Sequence, residues 1–155
     1  MNLDRLPLGA VLRRAREDVA MSQTALAAAA GLRQPNIAAI EAGSRRPSPE
    51  LLERVLRAAR LRPSIVLEYL ADDVRQLAAD HGLSDVRVFG SAARGSDDER
   101  SDIDLLAAAD PSIDFLRLAA FRGRAEELLG FPVDVVIDSP DDDVVAAIRR
   151  EAVPL

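Results

Sequence analysis

The chain of 155 residues contains no cysteine, no tryptophan and one histidine. Without cysteine it forms no disulfide, no thiolate zinc site and no cysteine nucleophile. The histidine, His81, precedes Gly82 at a position that the pattern predicts to be a helix end, where a cation is favoured. We therefore expect His81 to cap a helix rather than to serve as a general base.

Long apolar segments are also missing. The sequence shows no run of about 20 apolar residues and no signal-peptide pattern, so we expect a cytoplasmic protein with no membrane contact. There is no lysine, and all 20 basic residues are arginine, which we attribute to a composition bias because alanine is abundant too. At 48% hydrophobic residues the chain can bury one medium-sized core or two small ones, and we expect two.

Charge is distributed unevenly between the two halves of the chain. Residues 1–70 carry 11 arginines against 7 acids, a net charge of +4, and residues 71–155 carry 9 arginines against 19 acids, a net charge of −10. The two values add to the −6 of the whole chain. This asymmetry indicates one half that faces nucleic acid and one that binds metal.

A candidate active site begins where a short apolar strand ends in Gly90 and Ser91. Glycine lets a phosphate approach the backbone closely, and the serine offers a hydroxyl and an N–H. In the following segment, Ser101–Leu106, polar and apolar residues alternate, so Asp102 and Asp104 are predicted to share one face of a strand. Two adjacent carboxylates repel each other, and a hard divalent cation, Mg²⁺, lets both stay ionised.

A third carboxylate, Asp134, lies in the apolar segment 133–137, which can pair beside the first and bring Asp134 to the same edge. Three aspartates can hold two metal ions for an in-line displacement at phosphorus, with Asp134 as a ligand or as the base. An aspartate pair separated by one residue is common on protein surfaces. The context of strand, Gly-Ser, aspartate pair and later aspartate favours the active-site interpretation.

The motifs GSAARG, SDIDLL and VDVV resemble those of the minimal nucleotidyltransferases (MNT) of the DNA polymerase β superfamily, over residues 71–155. The resemblance implies that Gly90 and Ser91 bind the triphosphate of ATP and that Arg94 lies near the phosphates. It also implies Asp102 and Asp104 as Mg²⁺ ligands and Asp134 as the third carboxylate.

The pattern of the N-terminal half predicts short helices over 8–21, 23–29 and 34–41, with a fourth that starts at Ser48-Pro49. Two short helices joined by a turn with glycine are the layout of a helix-turn-helix. The segment from Ser22 to Gly43 resembles the XRE or lambda-repressor-like DNA-binding domain, over residues 8–61. Packing or dimerisation alone is the alternative role for such a helix pair.

This second resemblance implies a set of DNA contacts. Gln23 would contact phosphate, and Gln34 would reach base edges, where its amide suits adenine. Pro35 and Ala39 replace residues that are often polar in relatives, so DNA shape or thymine methyl groups would contribute to recognition. Such domains usually bind two half-sites as dimers. The implied DNA-binding residues are Gln23, Arg33, Gln34, Asn36, Arg45 and Arg46.

Together these patterns predict an α+β protein: a helix-turn-helix domain over 1–63, a connecting helix over 64–81, and a small α/β transferase domain with a short mixed sheet over 82–155. Strands are predicted at 86–89, 103–108 and 133–137, and helices at 114–129 and near 144–151. Leu116 and Leu118 are expected to cover the sheet. Asp97, Asp98 and Glu99 are expected to form a solvated loop.

Only about eighteen residues follow the last predicted strand, so the site should be open and its acceptor a macromolecule. The MNT resemblance implies an antitoxin that transfers AMP from Mg-ATP to a tyrosine of a HEPN ribonuclease toxin and represses its own operon. The protein would be a homodimer on operator DNA or a hetero-oligomer with the toxin. Two alternatives stay open: a transferase that acts on tRNA or a small molecule, and a catalytically silent regulator.

Overall fold

Over the described residues, the helical half contains five helices, two of which begin at a capping serine. The computed structural model describes residues 6–111, 113–140 and 142–155; the first five residues of the predicted first domain lie outside this part. Ser22 and Ser48 cap the second and fourth helices by accepting the backbone N–H groups of Ala25 and Leu51. The helices are α1 (Leu8–Asp18), α2 (Gln23–Ala29), α3 (Gln34–Glu41), α4 (Pro49–Ala58) and α5 (Pro63–Asp80).

The α/β half places four strands in one mixed sheet in the order β3-β2-β1-β4. Strand β1 is antiparallel to both β2 and β4, and β2 is parallel to β3. The predicted fold class, a helical domain followed by a small α/β domain with a mixed sheet, is thus confirmed. The elements are β1 (Leu83–Phe89), α6 (Gly90–Arg94), β2 (Ile103–Ala109), α7 (Phe115–Leu129), β3 (Val133–Ile137), α8 (Asp143–Glu151) and β4 (Val153–Pro154).

Strand register brings the predicted site residues to one edge of the sheet. Phe89, the last residue of β1, is paired with Asp104, and Asp104 is paired with Asp134 of β3. Paired residues of neighbouring strands point to the same face, so these carboxylates project together. The buried residues Ile103 and Leu105 alternate with Asp104 and lie in the hydrophobic core.

The long helix α5 belongs to both halves. Its buried side chains include Ile65 and Leu70 near its start and Val74 and Ala78 near its end, and all of them lie in one continuous hydrophobic core. The ring of His81, its C-cap residue, contacts the carbonyl oxygen of Leu77 through Nδ1 at 2.8 Å, as a capping residue should. Within the described residues, no helix combines the length and apolar character needed to cross a bilayer.

Three local predictions are wrong. Leu116 does not cover the sheet: it is 75% exposed, because it lies in the first turn of α7, where the helix faces solvent. Asp102 lies just before β2, not within it. Asp97 is not solvated but buried, at 7% exposure, because its two carboxylate oxygens accept hydrogen bonds from Arg62 and from the backbone N–H of Ser64. Strand β4 has no counterpart in the prediction, because two residues are too short for a periodic signal.

Candidate active site and nucleic-acid interface

Three aspartates converge at the edge where β1 ends and where β2 and β3 begin. One carboxylate oxygen from each of Asp102, Asp104 and Asp134 lies within 4.8 Å of the other two. Asp102 and Asp134 are exposed, and Asp104 is partly buried. An all-carboxylate set of this spacing suits a hard divalent cation such as Mg²⁺.

Gly90 is required at this edge for two reasons. Its backbone φ is +69°, a conformation that side chains rarely adopt. A β-carbon at this position would lie 2.2 Å from Oδ2 of Asp104, far inside van der Waals contact. The missing side chain therefore makes room for the central carboxylate, whereas the sequence alone suggested room for a phosphate.

The electrostatics of the triad favour cation binding. Burial raises the pKa of Asp104, and the negative charges of Asp102 and Asp134 raise it further, while Arg94 opposes them. Within the part of the chain that the structure describes, neither Asp102 nor Asp104 forms an ion pair with an arginine. The residues present thus fit a bound cation, which would relieve their repulsion.

Two arginines border the triad. Arg94, predicted to lie near the phosphates, pairs through Nη1 with Oε2 of Glu151 in α8 at 2.8 Å, and both side chains are exposed. Nη2 of Arg122, on α7, lies 3.3 Å from Oδ1 of Asp134. Sequence reasoning missed Arg122, since a charged residue on an amphipathic helix reads as surface. Ser91 is partly buried in the first turn of α6, beside Gly90, as the motif predicts.

In the helical half, a chain of hydrogen bonds links two of the predicted DNA-contacting residues to a buried acid. Glu41 accepts from Nε of Arg16 at 2.6 Å and from Nη2 at 3.1 Å, and its side chain is fully buried. Gln23 donates to Glu41 at 2.9 Å, and Gln34 donates to the Oε1 of Gln23 at 2.7 Å. The two glutamines are therefore held in fixed orientations at the N-termini of α2 and α3.

Two more of the predicted DNA contacts, Asn36 and Arg45, are hydrogen-bonded to each other. Nη1 of Arg45 donates to Oδ1 of Asn36 at 2.6 Å, which ties the loop after α3 to the helix itself. Arg33, Arg45 and Arg46 are all exposed. The structure thus brings the predicted residues together around the N-terminus of α3 and the loop that follows it.

Comparison with known families agrees with both halves. Residues 7–65 match the family described as "Helix-turn-helix domain", and residues 67–153 match the one described as "Nucleotidyltransferase domain". The second match covers more than half of the chain, which therefore belongs to the nucleotidyltransferase domain family and is a nucleotidyltransferase. A helix-turn-helix domain precedes its catalytic domain.

Two curated proteins of Methanocaldococcus jannaschii are similar to about half of this chain. "Putative protein adenylyltransferase MJ1215" is 29% identical over 73 residues, which is 47% of this chain and 85% of that protein. "Putative protein adenylyltransferase MJ0128" is 31% identical over 74 residues, which is 48% of this chain and 76% of that protein.

Two solved structures are similar to parts of this chain. The "Structure of putative minimal nucleotidyltransferase" aligns with a TM-score of 0.54 and 39% identity, over 59% of this chain and 95% of that one. The "Crystal structure of the toxin-antitoxin with AMP-PNP" aligns with a TM-score of 0.45 and 23% identity, over 50% of this chain and 64% of that one. The second similarity is too small to carry a functional argument.

Proposed function

We propose that this nucleotidyltransferase moves AMP from Mg-ATP to a tyrosine hydroxyl of a cognate HEPN ribonuclease toxin and represses its own operon. The observation that carries the proposal is the convergence of Asp102, Asp104 and Asp134 beside Gly90 and Ser91 at an open edge of the sheet. In the reaction the hydroxyl oxygen bonds to the α-phosphorus and the bond to the β-phosphate oxygen breaks. Pyrophosphate leaves, and Asp134 accepts the hydroxyl proton.

The chain's own residues divide the work between metal and phosphate. Asp102, Asp104 and Asp134 would hold Mg²⁺, which when bound neutralises charge on the phosphates and lowers the barrier to displacement. Ser91 would donate to the triphosphate through its hydroxyl and its backbone N–H. Arg94 is exposed and can exchange Glu151 for a phosphate oxygen, since a surface ion pair of this kind contributes little stability.

A protein acceptor fits the shape of the site. Asp102 and Asp134 are exposed, so a side chain on a partner surface can reach them. The curated relatives are named as protein adenylyltransferases, which also supports a protein hydroxyl as the acceptor.

The helical half is equipped for operator binding. Gln34 uses one amide hydrogen on Gln23 and keeps the other, together with Oε1, for a base. One donor and one acceptor are what a bidentate contact with adenine requires. Arg33, Arg45 and Arg46 would contact phosphates around it. A dimer would place two such surfaces about one helical turn apart on DNA.

The transferase activity is tested with the purified protein, Mg-ATP and the product of the neighbouring gene. Intact-mass measurement should show the partner gaining whole AMP units, and peptide mapping should place them on tyrosine. Replacing both Asp102 and Asp104 by alanine should abolish the gain, whereas Gln34→Ala should leave it intact. An unchanged partner mass, or AMP incorporated into tRNA instead, would overturn the proposed acceptor.

A gel-shift titration with the DNA upstream of the gene tests the repressor activity. We expect binding of this fragment over a scrambled fragment of equal length, and weaker binding by Gln34→Ala. Equal affinity for both fragments would show that the helical half does not recognise an operator.

A further inference from the structure

The loop Gly95–Ser101 joins the two parts of the active-site motif, from α6 to Asp102. Its acidic residue Asp97 is buried, and the side chain has no exposed surface. A carboxylate in such a place is costly unless its oxygens are paired. The burial of Asp97 therefore calls for specific partners.

Both carboxylate oxygens of Asp97 are bound by residues at the start of α5. Oδ1 accepts from Nη1 of Arg62 at 2.7 Å, and Oδ2 accepts from the backbone N–H of Ser64 at 2.7 Å. The same Nη1 also donates to the carbonyl oxygen of Gly95 at 3.3 Å. The loop is thereby anchored to the junction between the two halves of the molecule.

Arg62 extends this anchor into the helix-turn-helix domain. Its Nε and Nη2 donate to the two carboxylate oxygens of Asp18, each at 2.8 Å, at the C-terminal end of α1. Asp18 and Arg62 are both mostly buried. All three nitrogens of the guanidinium are in use, and one planar group bridges α1 and the active-site loop. A second, more exposed pair joins Arg60 to Glu99 at 3.3 Å.

The anchor continues along the loop as far as a metal ligand. The backbone N–H of Asp98 donates to Oγ of Ser101 at 3.0 Å, and Oδ1 of Asp98 accepts from the backbone N–H of Arg100 at 2.8 Å. Asp102 follows Ser101 directly and lies outside the sheet. Asp104 and Asp134 are held by strand pairing, so Asp102 is the member of the triad whose position depends on this loop.

We infer that Asp97 and Arg62 are positioning residues for the transferase site, which they join to the DNA-binding half by fixing the loop that carries Asp102. This inference rests on the proposed metal and nucleotide site. Loosening the loop should weaken binding of the metal–nucleotide complex, although neither residue touches it. Loss of a partner that orients a ligand typically lowers metal affinity about 10-fold to 100-fold.

The test uses the full-length protein with Asp97→Asn and, as matched control, Glu99→Gln, which removes one negative charge from the same loop at a more exposed pair. Affinity for a fluorescent ATP analogue is measured as a function of Mg²⁺ concentration. Hydrogen exchange reports on the backbone amides of residues 96–102. For Asp97→Asn we expect about 10-fold weaker Mg²⁺-dependent binding and faster exchange in this segment. Glu99→Gln should change affinity by less than about 2-fold, as expected for an exposed pair.

A general loss of stability is separated from loop positioning by Glu41→Gln, which breaks a buried pair in the helical half. It should lower the melting temperature without changing nucleotide affinity. If Asp97→Asn fails to fold, Arg62→Lys decides, because an ammonium group cannot bridge both carboxylates in this geometry.

If Asp97→Asn, or Arg62→Lys in its place, keeps wild-type nucleotide affinity and wild-type exchange in the loop, the inference is overturned. The proposed function would then still stand. A wild-type protein that binds no nucleotide with Mg²⁺ would overturn the proposed function, and with it the inference. The two failures are thus distinguishable.

Discussion

Each half of the molecule contains an acid that is at least partly buried, Glu41 in the helical half and Asp104 in the α/β half. Their surroundings shift the two pKa values in opposite directions. Burial by itself raises the pKa of Glu41, but hydrogen bonds from Arg16 and Gln23 outweigh it, and the net pKa is lowered. Burial also raises the pKa of Asp104, and there the neighbouring Asp102 and Asp134 raise it further. An acid with internal partners stabilises a fold, whereas an acid among like charges prepares a site for an external cation.

Removing the charge of Asp104 from the aspartate triad tests this difference most directly. Asp104→Asn should lower adenylyl transfer at least about 1,000-fold, equivalent to about 4 kcal/mol at 1.36 kcal/mol per factor of ten. The melting temperature should not fall, because the substitution removes repulsion from Asp102 and Asp134. Initial rates and thermal unfolding measure the two effects.

Asp85→Asn is the matched control for this substitution. Asp85 lies in β1, is exposed, and has a φ of +48° that asparagine tolerates. Its transfer rate should stay close to wild type. A marked fall in the melting temperature of Asp104→Asn would show that the charge of Asp104 does not destabilise the fold.

Removing the charge of Glu41 in the helical half should have the opposite effects, so that stability falls and the transfer rate does not. Glu41→Gln leaves Arg16 without its buried partner and should lower the free energy of unfolding by about 3 kcal/mol. Transfer, measured well below the unfolding transition, should be unchanged. Chemical denaturation of both proteins gives the difference, and unchanged stability would show that the pair contributes nothing.

The lowered pKa of Glu41 also sets a pH dependence. A carboxyl whose pKa falls on folding contributes stability above its usual pKa of 4.5, and that stability is lost as the pH falls through the lower, folded value. Wild-type protein should therefore lose stability below about pH 4.5, and the Glu41→Gln variant should lose less over the same interval.

Glycine substitutions also test the difference between the two halves, because each half has a glycine with positive φ. Gly90 has a φ of +69° and faces Asp104, whereas Gly31 has a φ of +66° and open space around its Cα. Gly90→Ala should lower transfer about 100-fold, since a displaced catalytic group is costly even over about 1 Å. Gly31→Ala carries only the backbone strain of about 1 kcal/mol and should leave transfer intact. Similar transfer rates in the two variants would show that Gly90 does not position Asp104.

Much of the fold follows from local sequence signals. The bounds of α2, α3 and β3 were predictable because a capping serine, a turn glycine and a β-branched run mark them. The approach of Asp104 to Asp134 was also predictable, since parallel apolar strands with one aspartate each pair in few ways. Signals of this kind depend only on neighbours along the chain.

The missed features depend on residues far apart in sequence. Asp97 is separated from Arg62 by 35 positions, and the run Asp97–Glu99 has the composition of a solvated loop. Arg94 pairs with Glu151, 57 positions away, which no local pattern indicates. Whether a charge is exposed or paired was therefore open until the fold was known.

The smallest expected effect concerns the glutamine chain that ends at Glu41. Gln34→Ala should weaken operator binding about 10-fold, because it removes one bidentate base contact, and leave transfer unchanged. Gln76→Ala, the same change on an exposed face of α5, should leave affinity unaltered. Arg45→Gln should instead reduce the slope of log affinity against log salt concentration by about 0.9, because it removes one phosphate contact. Gel-shift titrations at several salt concentrations separate the two, since the loss of a base contact lowers affinity at every salt concentration without changing that slope. If Gln34→Ala lowered affinity equally for operator and scrambled DNA, Gln34 would not read a base, and the buried acid Glu41 would support only the fold.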